Sequence, residues 1–193
     1  MNKQIVVISG PSGVGKTTLC DELLKREPRL EACITATTRQ PRPNETNGQD
    51  YYFVSQLQFR HWIKKGQLIE YTYIFGNYYG TPKQSVNQIC RKNKYPLLRI
   101  DVQGAQKLRK LKYQGLFIFI RPPNLKTLTG RLKKRAKKDG SSTLVLRKRL
   151  QRVDQELKMS RYYDFQIIND QLNRAVKEIR NTLRQYLFHK VCN

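Results

Sequence analysis

Residues Gly10-Pro11-Ser12-Gly13-Val14-Gly15-Lys16-Thr17 fit the pattern G-x-x-x-x-G-K-[ST]. The apolar run Ile5-Val6-Val7-Ile8 precedes them, and Thr18-Leu19-Cys20-Asp21-Glu22-Leu23-Leu24 follows. A buried strand, a glycine-rich turn and a helix in that order are the context that gives this pattern its meaning as a phosphate-binding loop. Glycines let successive backbone N–H groups turn inward on an anion, and the helix behind them adds the positive end of its dipole. The loop therefore predicts a parallel α/β core with a nucleoside triphosphate at the end of its first strand. Gly10, Ser12, Gly13, Val14, Gly15, Lys16, Thr17 and Thr18 form the candidate cradle. Lys16 is placed to reach the outer phosphates, and the Thr17 hydroxyl to hold Mg2+.

The rest of the chain agrees with that core. Leu97–Ile100, Leu116–Ile120 and Phe165–Ile168 read as further short buried strands, with helical stretches between them. Alternation of this kind folds into a parallel sheet wrapped by helices. After Ser142, Leu146, Leu150, Val153 and Leu157 make one helical stripe, and Leu172, Val176, Ile179, Leu183 and Leu187 make another. The length of 193 residues suits one domain with small inserted lobes. No apolar run is long enough to cross a membrane, and no leader pattern opens the chain. Cys20, Cys33, Cys90 and Cys192 show no paired spacing, so idle thiols in a cytoplasmic protein are expected.

Residues 35–81 break the alternation. Tyr51-Tyr52-Phe53-Val54 and Ile69–Phe75 have strand-like content. Asn77 and Gly80 suggest turns, and Thr81-Pro82 suggests a helix start with Thr81 as its cap. Arg39 and Arg42 flank Pro41, with Tyr51 shortly after. Such paired arginine forks, on a stretch stiffened by proline, suit a second phosphate. The other excursion, residues 124–150, is helical and strongly basic. Between Val102 and Val153 stand sixteen basic residues and one acid, Asp139, within a chain of net charge +24. A field of this strength draws polyanions. No motif that reads nucleic acid accompanies it, so a solvated basic face is preferred to specific RNA or DNA recognition. Asp139-Gly140-Ser141-Ser142 reads as a hinge.

Taken together, the blocks G-P-S-G-V-G-K-T, T-T-R-Q-P-R-P-N-E-T-N-G-Q-D-Y-Y-F-V, Ile69-Glu70, Gly76–Thr81, Asp101-Val102-Gln103-Gly104, Pro122-Pro123 and Ile167–Asp170 resemble guanylate kinase from Ile5 to about Leu187. The resemblance implies a three-layer P-loop core at residues 1–34, 82–123 and 151–193. It also implies a GMP-binding lobe at 35–81 and a lid at 124–150 that closes over ATP. Arg39, Arg42, Tyr51 and Tyr79 would hold the GMP phosphate, and Thr35, Glu70 and Thr81 would face guanine. Asp101 would serve the acceptor site and, with Thr17, the metal. Arg135 and Arg149, with Lys16 and Arg42, would neutralise the transferring phosphoryl group, and Asn169 would lie near adenine. GMP and ATP are the expected small-molecule partners; the oligomeric state is left open.

Two departures stand out. Arg99 occupies a position where the family usually carries an acid, with three conceivable outcomes: repelling an arginine of the lobe, pairing with Glu70, or folding against Asp101. Asn44 stands where a glycine is usual. A binding module that has lost catalysis and uses its basic surface is thus the alternative to an active kinase.

Overall fold

The computed structural model describes residues 4–43, 45–139 and 143–188. The central sheet has five parallel strands: β1 (Ile5–Ser9), β2 (Leu30–Ala32), β7 (Tyr95–Arg99), β8 (Gly115–Arg121) and β9 (Phe165–Ile168). Their order is β2-β7-β1-β8-β9, with β1 in the centre and Val6 paired to both Leu97 and Leu116. Both faces of this sheet are covered, which is why its strands are continuous apolar runs rather than alternating ones. Val6 and Ile8 pack into one layer with α1 (Lys16–Arg26) and α7 (Leu172–Leu183). Ile5 and Val7 face the other, with α3 (Lys83–Arg91) and α4 (Val102–Lys110). The three layers place the end of β1, and the loop after it, at the mouth of the core.

The inserted lobe is a second sheet of four strands: β4 (Tyr51–Phe53), β3 (Thr35–Thr37), β6 (Asn77–Pro82) and β5 (Leu68–Ile74), in that order. Helix α2 (Gln56–Lys64) joins β4 to β5 and is capped by the Ser55 side chain, which accepts from the Gln58 N–H. Two expectations are corrected here. Asn77 and Gly80 are strand residues, and the turn lies at Phe75-Gly76, both at positive φ (50° and 81°). Ile74 pairs directly with Asn77, so this is a two-residue hairpin of the kind whose central residues favour positive φ. Thr81 caps no helix: β6 continues through Pro82, α3 starts at Lys83, and the Thr81 hydroxyl is spent on Glu70. A proline at a strand end is tolerated because it lacks only a donor.

Helices α5 (Leu125–Asp139) and α6 (Thr143–Lys158) form the basic excursion. The α6 stripe of Leu146, Leu150, Val153 and Leu157 packs on the core, as does the stripe from Leu172 to Leu187. Helix α6 runs unbroken through residue 150, so the lid boundary expected there falls inside a helix. The hinge residues 140–142, Asn44 and Cys192 lie outside the described residues. Cys20 and Cys33 are buried, and burial pushes both thiols up to about 12, which leaves them unreactive. Among the described residues, no helix is long and apolar enough to cross a membrane.

Candidate active site

A cleft of about 430 Å³ opens where the core, the lobe and α5–α6 meet. The phosphate loop forms one wall through Gly10, Ser12, Gly13, Gly15, Lys16, Thr17 and Thr18. Gly10 takes φ 147°, and a Cβ there would lie 2.4 Å from the Ile120 carbonyl oxygen, so only glycine allows β1 and β8 to flank the loop this closely. Lys16 folds back over its own loop, donating to the carbonyls of Gly10 (2.5 Å) and Pro11 (3.0 Å). Val14 is buried, and its carbonyl accepts from Asn169 Nδ2 at 2.9 Å. Asn169 therefore pins the loop from behind, on the β9 side.

The facing wall belongs to the lobe. Thr35, Arg42, Tyr51, Glu70 and Tyr79 line the cleft, and the Tyr51 and Tyr79 rings meet edge-on at 6.4 Å. Arg39 stands behind them, with both Nη atoms on the Glu45 carboxylate (2.8 and 2.9 Å) and its guanidinium 5.4 Å from the Tyr51 ring. Arg42 reaches the same carboxylate at 3.5 Å, and its N–H donates to it at 2.8 Å. Burial pushes the Glu45 carboxyl up, but these bonds and charges outweigh it and hold it below its ordinary value. Glu45 thus holds the two arginines side by side.

Glu70 is buried on β5, opposite Thr81 on β6. The Thr81 hydroxyl donates to its Oε1 at 2.6 Å. On the other side α4 presses in at Gly104, where a Cβ would lie 2.6 Å from Oε2. Burial pushes the Glu70 carboxyl up to about 8, helped by the nearby Asp101 charge and opposed by Thr81 and Lys107. Burial this complete favours the protonated form of the acid, and N–H donors placed against it would favour its charged form.

Asp101 caps α4 rather than continuing β7. Its Oδ1 accepts from the N–H groups of Gln103 (2.6 Å) and Gly104 (3.1 Å), and its Oδ2 from the Thr72 hydroxyl (2.9 Å). Thr17 and Asp101 both line the cleft and are hard oxygen donors of the kind Mg2+ takes. A carboxylate offers about four lone-pair sites, so these bonds leave room for a cation.

The roof comes from α5 and α6. Arg149 and Arg152 line the cleft together with Arg131 and Glu156, none of the last three having been expected from the sequence. The Arg135 side chain lies outside the described part of α5. Arg131 donates to the Val14 carbonyl at 3.1 Å. Arg149 and Arg152 lie 6.0 and 5.2 Å from the Phe75 ring, so the roof touches the hairpin tip of the lobe. Burial raises the Glu156 carboxyl despite the charges of Lys16 and Arg152 and a bond from the Ser12 N–H. Arg149, Arg152 and Glu156 share one face of α6 at i, i+3 and i+7, flanking the leucine stripe. That spacing was the available signal.

The reading of Arg99 is corrected here. It pairs with neither Glu70 nor Asp101: its Nη1 lies 3.8 Å from Asp21 Oδ1, on α1. Arg99 shares its sheet face with Leu97, which packs toward α1, whereas the Glu70 side of the core packs with α4.

Residues 2–186 match the family model described as guanylate kinase. This chain belongs to the guanylate kinase family. It is 41% identical over 179 residues to guanylate kinase of Desulfitobacterium hafniense, covering 93% of this chain and 88% of that protein. It is 42% identical over 173 residues to that of Thermosynechococcus vestitus, covering 90% and 89%. Among solved structures, guanylate kinase from Anaplasma phagocytophilum superposes with a TM-score of 0.75 at 30% identity, covering 95% of this chain and 85% of that one. Family membership accords with the two facing walls: one loop built for phosphates, and one lobe carrying an arginine pair beside a buried acid.

Proposed function

We propose that this chain transfers the γ-phosphoryl group of ATP to GMP, giving ADP and GDP, in the cytoplasm. The observation that carries the reading is the single cleft, in which the phosphate loop faces Arg42, Tyr51, Tyr79 and Glu70 beneath a roof of arginines. ATP would seat its phosphates on the loop, drawing Lys16 off the Gly10 and Pro11 carbonyls. GMP would seat its phosphate on Arg39, Arg42, Tyr51 and Tyr79. Residues 35–81 then act as the acceptor lobe, residues 124–150 as the lid, and the remainder as the core.

The guanine choice follows from Glu70. Guanine presents a ring N–H beside an exocyclic amine, and an ionised carboxylate accepts from both. Adenine lacks that ring N–H and would leave a buried acceptor unpaired. A two-point contact of this type is worth about 1–3 kcal/mol of discrimination. Thr35 and Thr81 flank it, with Thr81 already fixing one oxygen.

No general base is needed. The GMP phosphate carries about −1.5 to −2 charge at pH 7 and attacks as it stands. The barrier is the mutual repulsion of two polyanions brought in line. Arg42, Arg131, Arg149, Arg152 and Lys16 neutralise them from several sides, and Arg135 of α5 would add to these. Mg2+, held by Thr17 and Asp101, would spread charge off the transferring group. A positioned arginine of this kind is worth about 10³–10⁵ in rate. Closure of the roof keeps water from the phosphoryl group. The phosphate loop is complete, so nothing supports the non-catalytic binding module.

A coupled assay with ATP, Mg2+ and GMP tests the reading. GDP and ADP should form in equal amounts, with AMP a far poorer acceptor. Absence of product at micromolar enzyme would overturn it.

A further inference from the structure

Arg99 ends β7 beside Ile8, the residue of β1 that leads into the phosphate loop. It lines the cleft with Lys16 and Thr17 and is 24% exposed. Its partner Asp21 stands on α1 one turn beyond Thr17, so the guanidinium lies on the triphosphate side of the cleft, not on the guanine side. Their 3.8 Å separation exceeds hydrogen-bond distance, and Asp21 is 57% exposed. An ion pair so open to water contributes little. A polyphosphate arriving at Thr17 offers several charged oxygens in place of that one weak contact, and a guanidinium can grip them two at a time.

We propose that Arg99 is a nucleotide-binding residue that leaves Asp21 for the outer phosphate of the bound nucleoside polyphosphate. It supplies a fixed cation next to the position where Thr17 would hold magnesium. This rests on the triphosphate lying on the phosphate loop, as proposed above. The consequence is specific. Where a protein cation shares the neutralising role, nucleotide binding depends less on the divalent ion. The contribution of Arg99 is then largest when no metal is present and shrinks when metal screens the same oxygens.

The test is calorimetric titration of ADP into the full chain, in EDTA and in millimolar magnesium. Arg99→Gln should weaken ADP binding about tenfold in EDTA and less than twofold in magnesium. Arg99→Lys should recover part of the loss, because charge remains while the fork is gone, and Asp21→Asn should tighten binding in EDTA about twofold by removing the competing carboxylate. Equal losses in both buffers, or less than a twofold effect in EDTA, would overturn the proposal. So would a loss confined to GMP titrations, which would move Arg99 to the acceptor side. If the unaltered chain bound no ADP in either buffer, the phosphate-loop reading would itself fail, and the role of Arg99 with it.

Discussion

Glu70 shows how far one side chain can be set by its surroundings. Burial pushes its carboxyl up to about 8, and only its charged form can accept both donors of the guanine proposed above. Affinity for GMP should therefore rise by roughly 25-fold between pH 6.5 and 8.5, with a proton released on binding at the lower end. Calorimetry in buffers of different ionisation heat reads both. The nucleotide's own phosphate ionises near pH 6, below this window. Stability runs the opposite way. The folded protein holds this proton more tightly than the unfolded chain, so the contribution is full below about 4.5 and lost as pH rises through about 8. Glu70→Gln should flatten that fall in thermal melts. The phosphate loop was legible from sequence because its meaning is local. Glu45 and Glu156 were not: Glu45 bridges Arg39 and Arg42 only because the irregular loop between them folds around its carboxylate, and Glu156 acts through the distant Ser12 N–H.

Elements meet where small residues allow. Helix α4 lies against β5 because Gly104 has no side chain, and a methyl group there would collide with the end of Glu70 rather than with backbone. Gly104→Ala should therefore fold, since alanine is the better helix former by about 1 kcal/mol and the clash is relieved by turning the end of one side chain at the expense of its Thr81 bond. Its cost should appear as a loss of GMP affinity of at least tenfold, with ADP affinity unchanged, measured by titration of each nucleotide alone. Equal loss of both would mean that α4 itself had moved. The long apolar strands of the core were readable as such, but β2 and β3 span only three residues each and carry no run to read. The Phe75-Gly76 hairpin was missed because phenylalanine is an unusual occupant of positive φ. The stacking of Arg149 and Arg152 near that ring gives the conformation a use.

At the scale of the whole molecule, the +24 charge divides into two populations. Arg131, Arg149 and Arg152 turn inward to the cleft, whereas Lys126, Lys133, Lys134, Lys137, Arg147 and Lys148 are exposed on α5 and α6. The inward set should govern turnover, the outward set encounter. Replacing Lys133, Lys134 and Lys137 together by Glu should lower kcat/KM for both nucleotides several-fold at low salt, leave kcat unchanged, and erase most of the dependence on ionic strength. A fall in kcat would show that these lysines enter the closed site. The bond from Thr72 to Asp101 joins the two sheets at one point, because the same carboxylate caps α4. The amide protons of Gln103 and Gly104 are consequently shielded by a group that the acceptor lobe also holds. Their exchange with deuterated solvent should quicken in Thr72→Val, whose loss of the hydroxyl frees that carboxylate from the four-stranded sheet, a readout that requires no label.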